Sequence, residues 1–403
     1  MDNYTRILKE FSDYAGGSGV AARITHKGKD LYRGAVGYAD IESGRLMECN
    51  TVFRIFSMTK MIVGVAALKL FEQGYFQLDD PVSAFIPAFR DTQVLTYQLS
   101  DKPIPRQSNN QVTMRNLFTM TAGFAYPGIA TKAATPRRHL DGAQFSAKVF
   151  ECCRQDELES GVPLTTRKVA DYLATIPMCF EPGEGWIYGL CADILGAVVS
   201  EISGKPLGKY IDEVICGPLG MKDTTFHPTR EQLGRSATIY NCTDPRHPVP
   251  APFTNPVSSI KGCATNELEI CIGGMYSTMD DFSRFMQMLA NGGTLDGVRV
   301  LGRKTVELMA TDHLNAVQHE QFRETWYPTD FCSWGLMTRV STSLNQSRLM
   351  LFPGSFGWAG AAGTIACADP KEHLALSFMT QRMPSTSYAA ITKLMQVAYG
   401  EID

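Results

Sequence analysis

A serine and a lysine three positions apart, Ser57 and Lys60, are the residues of this chain best suited to covalent chemistry. Residues at i and i+3 share one face of a helix, and a serine that begins a helix lies over the positive end of the helix dipole. A neighbouring lysine can then activate the serine hydroxyl without a histidine. The spacing indicates a serine nucleophile, while an ordinary helix N-cap at Ser57 is the alternative interpretation.

The same spacing recurs at Ser258 and Lys261, and the surrounding sequence distinguishes the two copies. After Lys60 the apolar run 61–71 leads to Gly74, which predicts a buried helix closed by a glycine cap. The second copy is flanked by a proline and a glycine instead. Only the first pair is therefore expected to open a buried helix.

The elements that must position this pair are predicted to be a sheet interrupted by a mainly helical segment. Alternating apolar residues in 19–37, on either side of a turn at 27–29, predict a hairpin. The same alternation predicts later strands, at 334–340, 348–352, 364–368 and 373–380. Apolar residues at intervals of three and four predict helices at 1–12, 58–73, 114–121, 166–175, 192–202, 279–291 and 387–399.

This order predicts an α+β fold in which both ends of the chain build one sheet. We expect a single domain over 1–403, with a sheet region of 1–56 plus 238–403 and a mainly helical region of 57–237. The stretches 125–163 and 245–256 lack clear periodicity, and we expect loops there that shape specificity.

The composition excludes several classes of protein. With 403 residues, of which 44% are hydrophobic, the chain can bury a large core. A net charge of −3 gives no basic field for nucleic acid. No 18-residue apolar run and no secretion-signal segment is present, so a cytoplasmic protein without membrane association is expected. The cysteines lack C-x-x-C spacing and the histidines lack ligand spacing, which predicts free thiols and no metal site.

Two later segments carry further chemistry. The first, E-P-G-E-G-W-I-Y-G-L over 181–190, contains Tyr188, and the second is G-W-A-G-A-A-G over 357–363. Together with V-T-M-R-N-L-F-T-M-T-A-G-F (112–124) and G-G-M-Y-S-T-M-D-D-F (273–282), this ordered set resembles the serine β-lactamase and penicillin-binding-protein superfamily. Within it, the chain is most similar to the class C β-lactamase-like family VIII carboxylesterases, over roughly 19–379. The resemblance implies a β-lactamase/transpeptidase-like fold, with a central antiparallel sheet, flanking helices and an inserted helical subdomain.

The resemblance also implies roles for particular residues. Ser57 would be the acylated nucleophile, Lys60 a cation or proton acceptor, and Tyr188 a member of the same proton relay. A phenol becomes a usable base only where positive charge favours phenolate, so Lys60 and Tyr188 are expected to act as a coupled pair. The backbone N–H groups of Ser57 and Ala361 would form the oxyanion hole. No cofactor is implied, and Asp193 is expected to be solvated or capping.

Two departures from the family pattern bear on the substrate. Where lactam-binding members have Y-x-N, this chain has Leu190 at the third position, and where they have K-T-G, it has Trp358, Ala359 and Gly360. The amide and the cation that would hold an anionic lactam are thus absent. The resemblance therefore implies an apolar substrate pocket formed by these four residues and Tyr126.

The implied function is a serine carboxylesterase that cleaves short-chain neutral esters through an acyl-Ser57 intermediate. Acyl transfer, D-amino-acid amidolysis and weak β-lactam hydrolysis remain alternatives on the same scaffold, and a non-catalytic binding or assembly protein is an alternative of another class. An α/β-hydrolase is disfavoured because the chain contains no G-x-S-x-G. The expected partner is a small-molecule ester.

Overall fold

A seven-stranded antiparallel sheet is the centre of the molecule. The computed structural model describes residues 1–97, 103–127, 137–251, 268–323, 331–343, 350–385 and 387–402. In chain order the strands of this sheet are β1 Val20–His26, β2 Lys29–Val36, β3 Cys332–Trp334, β4 Arg339–Ser341, β5 Phe356–Ala359, β6 Ile365–Asp369 and β7 Leu374–Thr380. Their order across the sheet is β3-β4-β5-β6-β7-β1-β2. The first strands of the chain pair with the last, which confirms the predicted sheet and the α+β fold.

Helices surround this sheet. They are α1 Asn3–Tyr14, α2 Thr59–Glu72, α3 Met114–Thr119, α4 Arg137–Ser160, α5 Thr166–Leu173, α6 Cys191–Ser203, α7 Leu207–Ile211, α8 Gly217–Leu219, α9 Arg230–Gly234, α10 Met279–Ala290, α11 Arg303–Met309, α12 Ala316–Arg323 and α13 Tyr388–Glu401. The seven helices that periodicity predicts all form, with ends within two residues of the expected positions. No helix in the described ranges is both long and apolar enough to cross a bilayer.

Short strands outside the central sheet form small sheets of two or three strands. They are Tyr38–Asp40, Arg45–Leu46, Val52–Arg54, Gln93–Thr96, Ile104–Gln107, Tyr240–Asn241, Val249–Pro250, Tyr276–Thr278, Thr294–Leu295, Val298–Arg299 and Arg382–Met383. The pairing of Val52–Arg54 with Tyr276–Thr278 matters for the site. It brings the segment around 272 next to the chain that leads into Ser57.

Alternation along the strands divides the core between the two faces of the sheet. Val20, Ala22 and Ile24 of β1 pack with alternate residues of β7 in a cluster that α1 and α13 cover. The opposite face, with Ala21 and Trp358, joins a larger cluster that includes most of the apolar residues of α2 and α6. The predicted active-site helix α2 is thus held between the sheet and other helices.

Three predictions for single elements are wrong or incomplete. The stretch 125–163 contains the 24-residue helix α4, whose buried residues recur at helical intervals: Ala143, Ser146, Val149, Phe150 and Cys153. The predicted strand 334–340 is two strands, because Gly335 packs against the Met309 carbonyl and Met337 adopts a φ of 60°. The described part of 348–352 is not a strand.

Some other predictions concern segments that the structure describes only in part. The cysteines among them are free, and most are buried, as predicted. The second serine–lysine pair, Ser258 and Lys261, lies outside the described residues, as does part of 245–256. The division of the chain at residues 57 and 237 stays a prediction.

Candidate active site

Ser57 lies on a single turn of 3-10 helix, Phe56–Met58, that leads directly into α2. The N-cap of α2 is Met58, so Ser57 is not the helix cap of the alternative interpretation. Phe56 has a φ of 46°, which is unusual for a bulky side chain. A Cβ built on Gly273 would come within 3.3 Å of the Phe56 backbone, so a glycine lets the neighbouring segment approach this turn.

Lys60, in the first turn of α2, is 0% exposed and its amine points at the serine. Its Nζ donates a hydrogen bond to the carbonyl of Ile272 at 2.8 Å and lies 3.4 Å from Ser57 Oγ. The serine hydroxyl lies 3.4 Å from the same carbonyl. Ile272 was not predicted, because a backbone carbonyl has no side-chain signature. The Gly273-Gly274 pair that follows it was the available signal.

Tyr188 brings a phenol to the same place. The Lys60 Nζ lies 4.7 Å from the centre of the Tyr188 ring and 5.9 Å from that of Tyr126. The two tyrosine rings are nearly parallel, with centroids 6.3 Å apart. A backbone bridge between Ala125 and Gly189 holds them in register. A Cβ on Gly189 would lie 1.8 Å from the Phe124 carbonyl oxygen, so only glycine fits there.

Trp358 contacts Tyr188 directly. Its indole Nε1 donates a hydrogen bond to the Tyr188 hydroxyl at 2.9 Å, and its ring packs edge-on against Trp334 with centroids 4.7 Å apart. A neutral donor therefore contacts the phenol from the position where the resemblance places a lysine.

The end of β5 packs on the chain that enters the Ser57 turn. A Cβ on Gly360 would lie 2.5 Å from the carbonyl oxygen of Ile55, two residues before Ser57. Ala361 follows in an exposed turn. The two backbone segments of the predicted oxyanion hole are thus neighbours, and the hole itself stays a prediction.

Two other predicted pocket residues, Leu190 and Ala359, have side chains buried in the core. Leu190 is fully buried in the larger core cluster. Ala359 packs in the other cluster, beneath α1 and α13, on the opposite face of the sheet from Trp358. The Ala359 side chain therefore points away from the Trp358 face, and any contact of Ala359 with a substrate there would be through its backbone.

Burial shifts the pKa values of Lys60 and Tyr188 in opposite directions. It lowers the pKa of Lys60 to about 7, although the charge of Asp193 opposes this. It raises the pKa of Tyr188, against hydrogen bonds with Ser57 and Trp358. A free amine is therefore accessible near neutral pH, while the phenol keeps its proton. Of the two side chains, Lys60 is therefore the one that can lose its proton near neutral pH.

Asp193 differs from its expected state. It is 4% exposed rather than solvated, and its Oδ1 accepts a hydrogen bond from the amide of Cys271 at 2.8 Å. Burial raises its pKa to about 6, while Lys60 and the amides of Cys271 and Ile272 act in the opposite direction. No sequence pattern indicates this, since the burial of Asp193 depends on the packing of distant segments.

Known proteins resemble this chain over nearly its whole length. Residues 5–399 match the sequence profile of the family named Beta-lactamase. Protein Rv1367c of Mycobacterium tuberculosis is 32% identical over 401 residues, which cover 97% of this chain and 92% of that protein. Esterase EstB of Burkholderia gladioli is 36% identical over 211 residues, which cover 52% of this chain and 47% of EstB.

A solved structure shares the fold over the full length. Unliganded simvastatin synthase (LovD) from Aspergillus terreus, as its selenomethionyl derivative, superposes with a TM-score of 0.80 over 99% of this chain and 98% of that chain, at 21% sequence identity. Since the profile spans 5–399 and a relative of similar length is 32% identical, the chain belongs to the beta-lactamase family.

Proposed function

We propose that this protein is a serine carboxylesterase of the family VIII type, which cleaves short-chain neutral esters through an acyl-Ser57 intermediate. The observation that carries the proposal is the contact of the fully buried Lys60 amine with Ser57 Oγ at 3.4 Å, in a site where Trp358 replaces a cation. The 36% identity with an esterase over half of the chain supports the same reaction class.

In the proposed acylation, the free amine of Lys60 takes the proton of the Ser57 hydroxyl while the oxygen attacks the ester carbonyl. The amides of Ser57 and Ala361 stabilise the oxyanion. Tyr188 donates its proton to the departing alkoxide, and the Lys60 ammonium returns a proton to Tyr188. The result is an acyl-enzyme, a free alcohol and a neutral amine. Deacylation repeats these steps in reverse, with water in place of the alcohol.

The preference for a neutral ester follows from the surroundings of Tyr188. A substrate carboxylate would need a cationic donor for a strong, charge-assisted hydrogen bond. At the corresponding position Trp358 offers a neutral N–H, and that N–H already binds Tyr188. An uncharged acyl group avoids the cost of placing an anion beside aromatic side chains.

The test uses the second serine–lysine pair as a matched control. Ser57→Ala should abolish p-nitrophenyl butyrate hydrolysis and covalent labelling by a phosphonate, detected as added protein mass. Ser258→Ala should change neither, since Ser258 has the same spacing to a lysine without a following apolar run. The parent should also have a higher kcat/KM for the ester than for nitrocefin. Label on another residue, or equal activity in Ser57→Ala, would contradict the proposal.

A further inference from the structure

Asp193 is a buried acid that the proposed reaction leaves without a role. It is the third residue of α6, five positions after Tyr188, and only 4% exposed. A cavity of about 10 Å³, roughly the room of one water molecule, borders it together with apolar side chains of Phe150, Val169 and Ile270. A carboxylate in such a place is costly unless another group compensates its charge.

One short segment connects Asp193 to the nucleophile. The amide of Cys271 donates to Asp193 Oδ1 at 2.8 Å, and the amide of Ile272 also stabilises the carboxylate. On its other side the same segment presents the Ile272 carbonyl to Lys60 Nζ at 2.8 Å. Asp193 therefore anchors the short segment whose next residue presents its carbonyl to the amine.

The charge of Asp193 also acts on Lys60, whose pKa it raises against the effect of burial. The other groups around the amine in the described part of the chain are Ser57, Tyr126, Tyr188 and the thiols of Cys191 and Cys271. Burial raises the pKa of Cys191 to about 12 and that of Cys271 well above its ordinary value, so both thiols are neutral. The phenol of Tyr188 is neutral as well. Glu269, which borders the same small cavity, contacts His227 at 3.2 Å.

We propose that Asp193 is a positioning residue for Lys60. Asp193 accepts the hydrogen bond of the Cys271 amide and so holds the segment that carries the Ile272 carbonyl, and its negative charge balances the buried amine. This inference rests on the proposed function, because Lys60 matters as the base of that reaction. The charge of Asp193 stabilises the ammonium form. Removing the charge should therefore favour the free amine and move its titration to lower pH.

The test measures Lys60 directly in the full chain without substrate. The protein is labelled with ¹³Cε-lysine, and the Lys60 signal is assigned by its loss in Lys60→Arg and followed by NMR against pH. Asp193→Asn keeps an oxygen acceptor for the Cys271 amide but loses the charge. It should lower the Lys60 midpoint by about one pH unit, and the acid limb of kcat/KM should move in the same direction. Asp193→Glu, which keeps the charge, should stay closer to the parent.

Asp281→Asn is the matched control. Asp281 is also the third residue of a helix, is buried, and accepts a backbone hydrogen bond, from Asp223 at 2.7 Å. Its substitution should leave the Lys60 midpoint unchanged. A folded Asp193→Asn protein with an unmoved midpoint would overturn the proposal, even if its activity fell.

If the Asp193→Asn protein does not fold, a second measurement on the parent protein tests the proposal instead. In the parent, the Lys60 signal should show an additional inflection at lower pH as Asp193 takes up its proton, because coupled groups report each other's titration. A single inflection would overturn the proposal. Since neither NMR measurement needs ester hydrolysis, a coupled titration in a protein without esterase activity would refute the proposed function alone.

Discussion

At the scale of single residues, Trp358 is central to the proposed preference for esters over lactams. The resemblance implies an aromatic side chain where lactam-binding members of the superfamily have lysine, but the sequence cannot show what the indole N–H contacts. In the structure that N–H donates to the Tyr188 hydroxyl. Such a donor stabilises phenolate over phenol and so makes Tyr188 a better acid toward a departing alkoxide.

Trp358→Phe tests this role, since it keeps a ring in the aromatic cluster and removes only the donor. A lost hydrogen bond is worth about 0.5–1.5 kcal/mol, so kcat for p-nitrophenyl butyrate should fall by about twofold to twelvefold. Trp186→Phe is the control, because the buried Trp186 Nε1 has no hydrogen-bond partner among the described residues. Equal losses in the two variants would show that ring packing, and not the N–H, is what matters.

The pH dependence of kcat/KM should follow the titration of the Lys60 amine. Its pKa is lowered to about 7 by burial, and the proposed base is the deprotonated amine. The kcat/KM for a neutral ester should therefore rise as pH increases through about 7 and then level off. A pH–rate profile with a substrate that does not ionise measures this. A profile that falls across neutrality would exclude a free amine as the base.

At the scale of elements, the sequence predicts what depends on side-chain pattern and misses what depends on tertiary contact. Ordered motifs indicate Ser57, Lys60 and Tyr188, and periodicity predicts the helix α2 that follows the serine and carries the lysine. The Ile272 carbonyl and the burial of Asp193 arise only when separate segments meet. Helix α4 is a different case. Its apolar residues have helical spacing, but polar residues around them obscure the pattern.

Close packing of α2 provides a test at this scale. A Cβ on Gly64, in the middle of the helix, would lie 2.8 Å from the Met337 Cβ. Gly64→Ala should lower the free energy of unfolding by about 1–3 kcal/mol, as overpacking does, although alanine favours a helix by about 1 kcal/mol. Urea unfolding measures the difference.

Gly400 is the matched position in α13. Within the described part of the chain, no atom of a neighbouring segment lies within 4 Å of the place that a Cβ on Gly400 would take. Gly400→Ala should leave stability unchanged or raise it by at most about 1 kcal/mol. If both Gly64→Ala and Gly400→Ala stabilise the protein, the contact between α2 and Met337 is not tight enough to exclude a side chain at residue 64.

At the scale of the whole molecule, the two ends of the chain depend on each other. Helices α1 and α13 cover one face of the sheet together, and the Tyr4 hydroxyl donates to Glu401 at 2.7 Å. Leu8 of α1 packs in the apolar cluster between the two helices and the sheet and is 0% exposed. The apolar contact, rather than the exposed ion pair of Lys393 with Glu10, should hold this layer.

Leu8→Ala should therefore lower the free energy of unfolding by about 2–5 kcal/mol, because it leaves a cavity between the helices and the sheet. Lys393→Ala should cost less than about 1 kcal/mol. Thermal or urea unfolding of both variants provides the comparison. A larger loss in Lys393→Ala would show that charge, not burial, joins the chain ends.

The pairing of β1 with β7 also has a consequence for synthesis on the ribosome. The edge of β1 that faces β7 has no partner until residues 374–380 have been made, and translation of the intervening chain takes on the order of tens of seconds. Ser57 and Lys60 emerge early, whereas Ile272, Trp358 and Ala361 emerge late. We therefore expect the nascent chain to expose a pairing-competent hairpin and an inactive serine until its last strands leave the exit tunnel, and to depend on chaperones during that interval.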